Sequence, residues 1–255
     1  MTEYTDHHAP EGLRTRGTII VVPGRGETRA TYTRFGRRLA ADAYRVRVID
    51  APDVSADDPA GPGAAFGGLL TEAVESAAAE DGVIRPLVLV GADSGALAIA
   101  AFLGRAGQAG VRQPDAVVLA GLPGRAATAP GTWEDELDVR TSCPTHRGTL
   151  TRDPRVRRGS LGDPIPDALL TAAHENEAAV PALLLVGDAD PLADRGTLGR
   201  AAKSLPRARL AVVRGAHHDV LNDLQHRSVA AEVVTFLEAL RDGLTPVVTV
   251  EASAW

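Results

Sequence analysis

Short, uniformly apolar runs recur along the chain, each closed by a small-residue turn and most followed by residues at helical spacing. Thr18–Val22 (TIIVV) stops at Pro23-Gly24-Arg25-Gly26 and reads as a buried strand. Residues 29–43 then carry Tyr32, Phe35, Leu39 and Ala43 at helical intervals. The same reading gives strands over 45–50, 87–90, Ala116–Ala120, 183–186 and 209–213, and helices over about 69–79, 95–104, 194–204 and 228–241. Strands that are apolar on both faces, alternating with helices, predict an α/β chain: three layers, with a mostly parallel sheet covered by helices on both sides.

The rhythm breaks once. Residues 122–180 are rich in Pro, Gly, Arg and Asp and offer a single convincing helix, over about 166–177. A stretch this long with little regular structure is expected to be a lid or binding loop. The division that follows is a core of residues 1–121 and 181–255 with a lid insertion over 122–180. Residues 57–68 read as a loop, and the tail LTPVVTVEASAW as an extended segment, either an added edge strand or a surface for a partner chain, a second copy making a homodimer.

The chemistry concentrates where the run LVLV meets Gly91-Ala92-Asp93-Ser94-Gly95 and an Ala-rich helix follows. A strained strand-to-helix turn that exposes a nucleophile needs small residues two positions either side of its apex. With Asp93 at the apex those residues are Gly91 and Gly95; with Ser94 they are Ala92 and Ala96. Glycine tolerates the crowding better, so Asp93 is favoured, with Ser94 the other candidate. Both also suit a plain helix N-cap. Two later turns follow strands in the same way. Residues 182–194 hold Asp188 and Asp190, and residues 210–223 hold His217 and His218. All of these groups fall past strand C-termini, where open parallel sheets bind ligands.

Bulk properties narrow the field. A net charge of −6 disfavours a nucleic-acid binder. Cys143 is the sole cysteine, so no disulfide forms within the chain. No apolar run is long enough for a membrane span, and the N-terminal residues carry no leader pattern, so a cytoplasmic protein with a small-molecule substrate is expected. Cys143 and His146 have C-x-x-H spacing, but zinc needs about four ligands; no metal and no cofactor is expected there, and His146 is read as lid packing or substrate contact. Trp133 is read either as lining the pocket or as anchoring the lid. Asp188 reads as a turn residue, Asp194 as a helix cap, and the arginines of 152–158 as a solvated loop.

These motifs together resemble the α/β-hydrolase superfamily over nearly the whole chain, and look closest to its monoacylglycerol-lipase or lysophospholipase-like branch. PGRGETRATYTRFGRRLAADAYRVRVID is similar to that branch's HGxGEH…Y…LA…GY-V…D segment, LLLVGDADPL to its acid loop, and GAHHDVLND to its histidine segment. The resemblance implies Asp190 as the triad acid and His218 as the base. It also implies an oxyanion hole from the backbone N–H groups of Arg25 and Ser94. Gly24, Trp133 and His146 are the substrate-binding candidates. The implied activity is cleavage of a small hydrophobic ester, thioester or lactone. Two departures stand out: Pro23 replaces the family's usual His, and the apex reads Asp. An apical Asp is similar to the haloalkane dehalogenase and epoxide hydrolase branch, but Ser94 stands where the dehalogenases have Trp, and Tyr4, Tyr32 and Tyr44 all lie outside the lid that would hold an epoxide hydrolase's acids.

Two other readings compete. A non-hydrolytic enzyme or binding module could use the same scaffold. An NAD(P)-dependent oxidoreductase would use Gly24 and Gly26 before the first helix and Asp50 for a ribose, although Arg29 stands where the third glycine belongs.

Overall fold

Among the described residues a seven-stranded sheet runs in the order β1-β3-β2-β4-β5-β6-β7. The strands are β1 (Thr5–His7), β2 (Thr18–Val22), β3 (Arg45–Val48), β4 (Leu87–Ala92), β5 (Ala116–Ala120), β6 (Ala182–Gly187) and β7 (Ala208–Val213). The coordinates are a computed structural model and describe residues 3–52, 64–78, 82–104, 113–125, 130–175 and 178–253. Every neighbouring pair is parallel except β1 with β3, which is antiparallel. The sequence pattern overlooks β1: three half-buried residues at an edge carry no periodic signal.

The inner strands β2, β4, β5 and β6 are buried at every position. Alternate residues point to opposite faces and feed two cores. Ile20, Leu89, Val117 and Leu184 pack with α2 (Ala64–Ser76), α3 (Ser94–Gly104) and α6 (Asp167–His174). Ile19, Val88, Val118 and Leu183 pack with α1 (Thr33–Ala41) and α8 (His226–Arg241). α7 (Arg195–Ser204) completes the chain's βαβ alternation. The helix expected over 69–79 begins earlier, at Ala64, and part of the loop expected over 57–68 lies outside the described residues. No strand forms in the tail among its described residues, and Val247, Val248 and Val250 are exposed there. No helix among the described residues is long and apolar enough to cross a membrane.

The stretch expected to be a lid divides in two. α6 joins the main core through Leu169, Leu170 and Ala173. α4 (Trp133–Arg140) and α5 (Pro144–Arg152) instead share a small cluster of Leu137, Leu150 and Val156 with Trp133 against it. Neither helix is amphipathic enough to read from sequence; end chemistry defines them. Thr132 and Asp135 form a reciprocal capping box at the start of α4, and Pro144 occupies the first turn of α5. Residues 126–129 and 176–177 of the expected lid lie outside the described residues.

Candidate active site

Asp93 sits at the turn between β4 and α3 with φ +46°, a left-handed conformation that costs a non-glycine residue strain. The flanking glycines explain why the chain tolerates it. A Cβ on Gly91 would stand 2.6 Å from the backbone N of Ala96; one on Gly95 would stand 2.6 Å from the carbonyl of Pro23 and closer still to that of Val22. Both neighbours are backbone, so neither can yield cheaply. Asp93 is therefore the apex, and Ser94 is the first residue of α3, its Oγ buried without a hydrogen-bond partner.

His218 lies in the loop after β7. Its Nδ1 is 3.0 Å from Asp190 Oδ2, and its Nε2 is 3.2 Å from Asp93 Oδ1, at an angle short of a formal hydrogen bond. Asp190 is fixed in turn by the Leu192 N–H, donated to its Oδ1 at 2.9 Å. Asp93, His218 and Asp190, drawn from three strand ends, thus form one line of groups, all buried. Backbone bonds tie the histidine loop to the end of α4: His218 N–H donates to Val139 O and Asp219 N–H to Arg140 O.

Arg25 is what the sequence did not disclose. Its backbone N–H donates to Asp93 Oδ2 at 2.9 Å, its Nε to the same oxygen at 2.8 Å, and its Nη2 to Oδ1 at 2.8 Å. Nη1 reaches over to the carbonyls of Leu161 and Asp163, at 3.1 and 3.0 Å. The guanidinium is a planar fork that fits a carboxylate with two parallel bonds. Burial penalises an ionised Asp93, but the charges of Arg25 and His218 outweigh it and hold the carboxyl well below its ordinary range. Burial likewise opposes a charged His218, yet Asp190 and Asp93 push its pKa up to about 10. At neutral pH an ionised Asp93 therefore faces a protonated His218, with the Arg25 guanidinium on its other side.

A second buried network lies beside this one. Glu27 Oε2 accepts the Gly24 N–H at 2.9 Å and the Tyr32 hydroxyl, while Oε1 has no partner. His146 Nε2 is 2.8 Å from Asp219 Oδ2. Arg140 donates to Glu136 Oε1 from Nε (3.0 Å) and Nη2 (2.8 Å), and to the carbonyl of Arg25 at 2.7 Å; its Nη1 is 3.5 Å from Asp219 Oδ1. Burial and the charge of Asp219 raise Glu27 to about 7. For Asp219, burial acts upward, but Arg140 and His146 keep the pKa lowered. Glu136 and Arg140, four apart on an otherwise polar helix, look like an ordinary surface pair in the sequence; both are fully buried.

The remaining expected residues fall as follows. Gly24 is in van der Waals confinement, since a Cβ there would stand 2.9 Å from Asp93 Cβ. Trp133 packs against the small cluster of Leu137, Leu150 and Val156, and the Arg158 guanidinium lies 5.2 Å from its ring centre. His146 faces Asp219. His217 pairs with Asp223 at 2.9 Å, apart from His218. Asp188 braces the Gly215 turn, and Asp194 caps α7 through the Thr197 N–H. Dinucleotide binding meets a steric obstacle. A Cβ on Gly26 would stand 2.5 Å from Arg157 O and closer still to Ser160 Oγ, so residues 157–160 crowd this glycine.

Among solved structures, the chain is similar to a monoglyceride lipase from Saccharomyces cerevisiae (15% identity, TM-score 0.71, covering 93% of this chain and 91% of that one). It is similar also to a monoacylglycerol lipase from Paleococcus ferrophilus (18% identity, TM-score 0.69, 94% and 99% covered). A type II thioesterase of the yersiniabactin pathway gives 17% identity and a TM-score of 0.58, with 93% and 98% covered. No family model and no curated protein sequence matches. The architecture is the α/β-hydrolase fold; at these identities the likeness establishes the fold and leaves chemistry to the site.

Proposed function

We propose that the protein is a hydrolase that works through a covalent ester on Asp93, formed by attack at a saturated carbon, with a strained epoxide as the preferred substrate class and a carbon–halogen bond as the neighbouring one. The observation that carries this reading is Asp93 Oδ2 seated on the backbone N–H of Arg25, with Oδ1 toward His218. A carboxylate attacking an ester carbonyl would give a high-energy anhydride; attack at saturated carbon gives an ordinary ester.

The protonation states fit an epoxide. Asp93 Oδ1 attacks the ring carbon, the carbon–oxygen bond breaks, and His218 Nε2 gives its proton to the alkoxide. Neutral His218, held by Asp190, then takes a proton from water, and the hydroxide attacks Asp93 Cγ. Negative charge builds on Oδ2, where the Arg25 backbone N–H and Nε–H already point. Collapse breaks the Cγ–O bond to the alkyl group. The departing alkoxide takes the proton of the new carboxyl, leaving a diol, ionised Asp93 and protonated His218 as at the start. Oδ1 must first lose the Arg25 Nη2 bond, so the guanidinium pivots on its Oδ2 contacts when substrate enters.

A second reading, cleavage of an ester, thioester or lactone, is favoured by the lipase and thioesterase among the similar structures. It would use the Asp93–His218–Asp190 line as a base on water, or Ser94 as nucleophile. The test is a panel of styrene oxide, 1-bromobutane and p-nitrophenyl butyrate against Asp93→Ala and Ser94→Ala. We expect epoxide turnover that falls by several orders of magnitude in Asp93→Ala and by less than tenfold in Ser94→Ala. Covalent labelling of Ser94 by a fluorophosphonate, with inactivity of Ser94→Ala, would instead establish a serine esterase.

A further inference from the structure

Glu27, His146 and Asp219 come from three different parts of the chain: the turn after β2, α5 and the loop after β7. Each offers one ligand atom, and those atoms lie within 4.8 Å of one another. The three residues are 7%, 3% and 7% exposed, so the group is closed off from bulk water. We propose that Glu27, His146 and Asp219 form a divalent transition-metal site, with zinc the fitting ion, that pins the lid helix α5 to the two loops carrying Arg25 and His218. The proposal is independent of the reaction assigned to Asp93.

Three observations support it. First, each carboxylate is half-occupied in a complementary way. Glu27 Oε2 is oriented by the Gly24 N–H and the Tyr32 hydroxyl, and Asp219 Oδ1 faces Arg140, which leaves Glu27 Oε1 and Asp219 Oδ2 for the cluster. Second, Glu27 Oε1 is buried with no hydrogen-bond partner, a costly state that a metal–oxygen bond would relieve. Outer contacts of this kind are what hold metal-ligating carboxylates in position.

Third, carboxyl groups outnumber guanidinium groups here. Glu27, Glu136 and Asp219 are three buried carboxyl groups around a single guanidinium, that of Arg140, whose bonds go to Glu136 and Asp219. In the neighbouring line Arg25 and His218 are engaged with Asp93 and Asp190 and supply nothing. Arg140 does not compete for the ion's place, because it approaches Asp219 on the other oxygen and is held by Glu136. An imidazole and two carboxylates suit zinc, whose ligand atoms in a tetrahedral site stand roughly 3.4 Å apart for bonds of about 2.0–2.2 Å. His146 Nε2 and Asp219 Oδ2, at 2.8 Å, would open slightly, and Glu27 Oε1 would swing in. Water would take the fourth position.

The test uses the full chain, stripped with a chelator and dialysed against zinc chloride, with bound metal counted by mass spectrometry and unfolding followed with and without zinc. Expected are one zinc per chain, a rise in Tm on adding zinc, and loss of both in Glu27→Gln and in His146→Ala. Cys143→Ser should bind zinc as the parent does. Glu27→Gln keeps the shape of the side chain, so it remains informative if His146→Ala fails to fold. No zinc uptake by the parent, or uptake unchanged in Glu27→Gln, overturns the proposal; loss of uptake in Cys143→Ser would move the metal to a different site and overturn it equally.

Discussion

Replacing Arg25 with Met tests the heart of the site through stability alone, with no substrate needed. The guanidinium makes two charge-assisted bonds to Asp93 and two more to the carbonyls of Leu161 and Asp163, in a place only 6% exposed. Removing one partner of a buried ion pair costs about 3–5 kcal/mol, because the other charge is left behind. Here the imidazolium of His218 stays 3.2 Å from Asp93, so the lower end, about 3 kcal/mol, is expected. In a urea titration at 25 °C with m near 2–3 kcal/mol/M, that is a fall in midpoint of about 1 M. Asp93→Leu alone should cost a similar amount by stranding Arg25, whereas the double variant should lose far less than the two together, a coupling of about 2 kcal/mol or more. Asp93 also makes an acid-side signature. Its folded pKa is depressed, so its contribution is present above the unfolded value near 4 and is lost as pH falls through the folded value. Arg25→Met should flatten that loss. A midpoint change under about 0.3 M, or strict additivity in the double variant, would refute the account of Arg25 as the counter-ion of Asp93.

Other consequences follow from the same geometry. His218 has the opposite sign from Asp93. Raised to about 10, it adds stability that is full below an unfolded pKa near 6.5 and is lost as pH rises through 10, at most about 5 kcal/mol. The stability difference between the parent and His218→Gln should therefore shrink steadily from pH 7 to pH 10 in paired denaturation curves. Gly95→Ala should destabilise by about 1–3 kcal/mol or more, because its Cβ meets two backbone carbonyls, whereas Gly68→Ala, on the exposed side of α2 with nothing within 4 Å of its Cβ, should be neutral or stabilising by up to about 1 kcal/mol. Thermal melts of the pair would decide; equal effects would deny the crowding at the elbow.

How far the sequence disclosed this arrangement depended on the kind of signal. Strands β2, β4, β5 and β6 were legible because they are buried throughout and carry apolar runs, and β3 and β7 by their branched residues between turn signals. The choice between Asp93 and Ser94 was legible because glycine at Gly91 and Gly95 is a steric requirement. The turns that hold Asp190 and His218 were legible by their place after strands, and the choice of these two over Asp188 and His217 rested on the family resemblance. α4 and α5 were not: they hold few apolar residues, and their stability comes from the Thr132–Asp135 box, Pro144 and burial of the Glu136–Arg140 pair. The clues present were end signals, T-x-x-D and a Pro, which mark where a helix starts without marking a face. Arg25 was anticipated for its backbone N–H alone; nothing local in PGRGE says that the side chain folds back 68 positions along the chain to meet Asp93. The same holds for Glu27, His146 and Asp219, which lie far apart along the chain and meet where residues 146–157 pack on residues 24–28, with the Arg157 N–H donating to Gly26 O and the Thr28 hydroxyl to Asp153.

The central claim is that Asp93 forms the covalent bond. A single turnover in ¹⁸O-water, with enzyme in excess over whichever substrate of the panel it converts, tests this most directly. If the ester on Asp93 is cleaved at its Cγ, as proposed, the heavy oxygen enters the Asp93 carboxylate and the first product is unlabelled. A peptide containing Asp93 that gains one ¹⁸O by mass spectrometry, beside an unlabelled product, is the predicted result. Heavy oxygen found in the first product, with an unchanged Asp93 peptide, would mean that water attacks the substrate itself and would contradict the account.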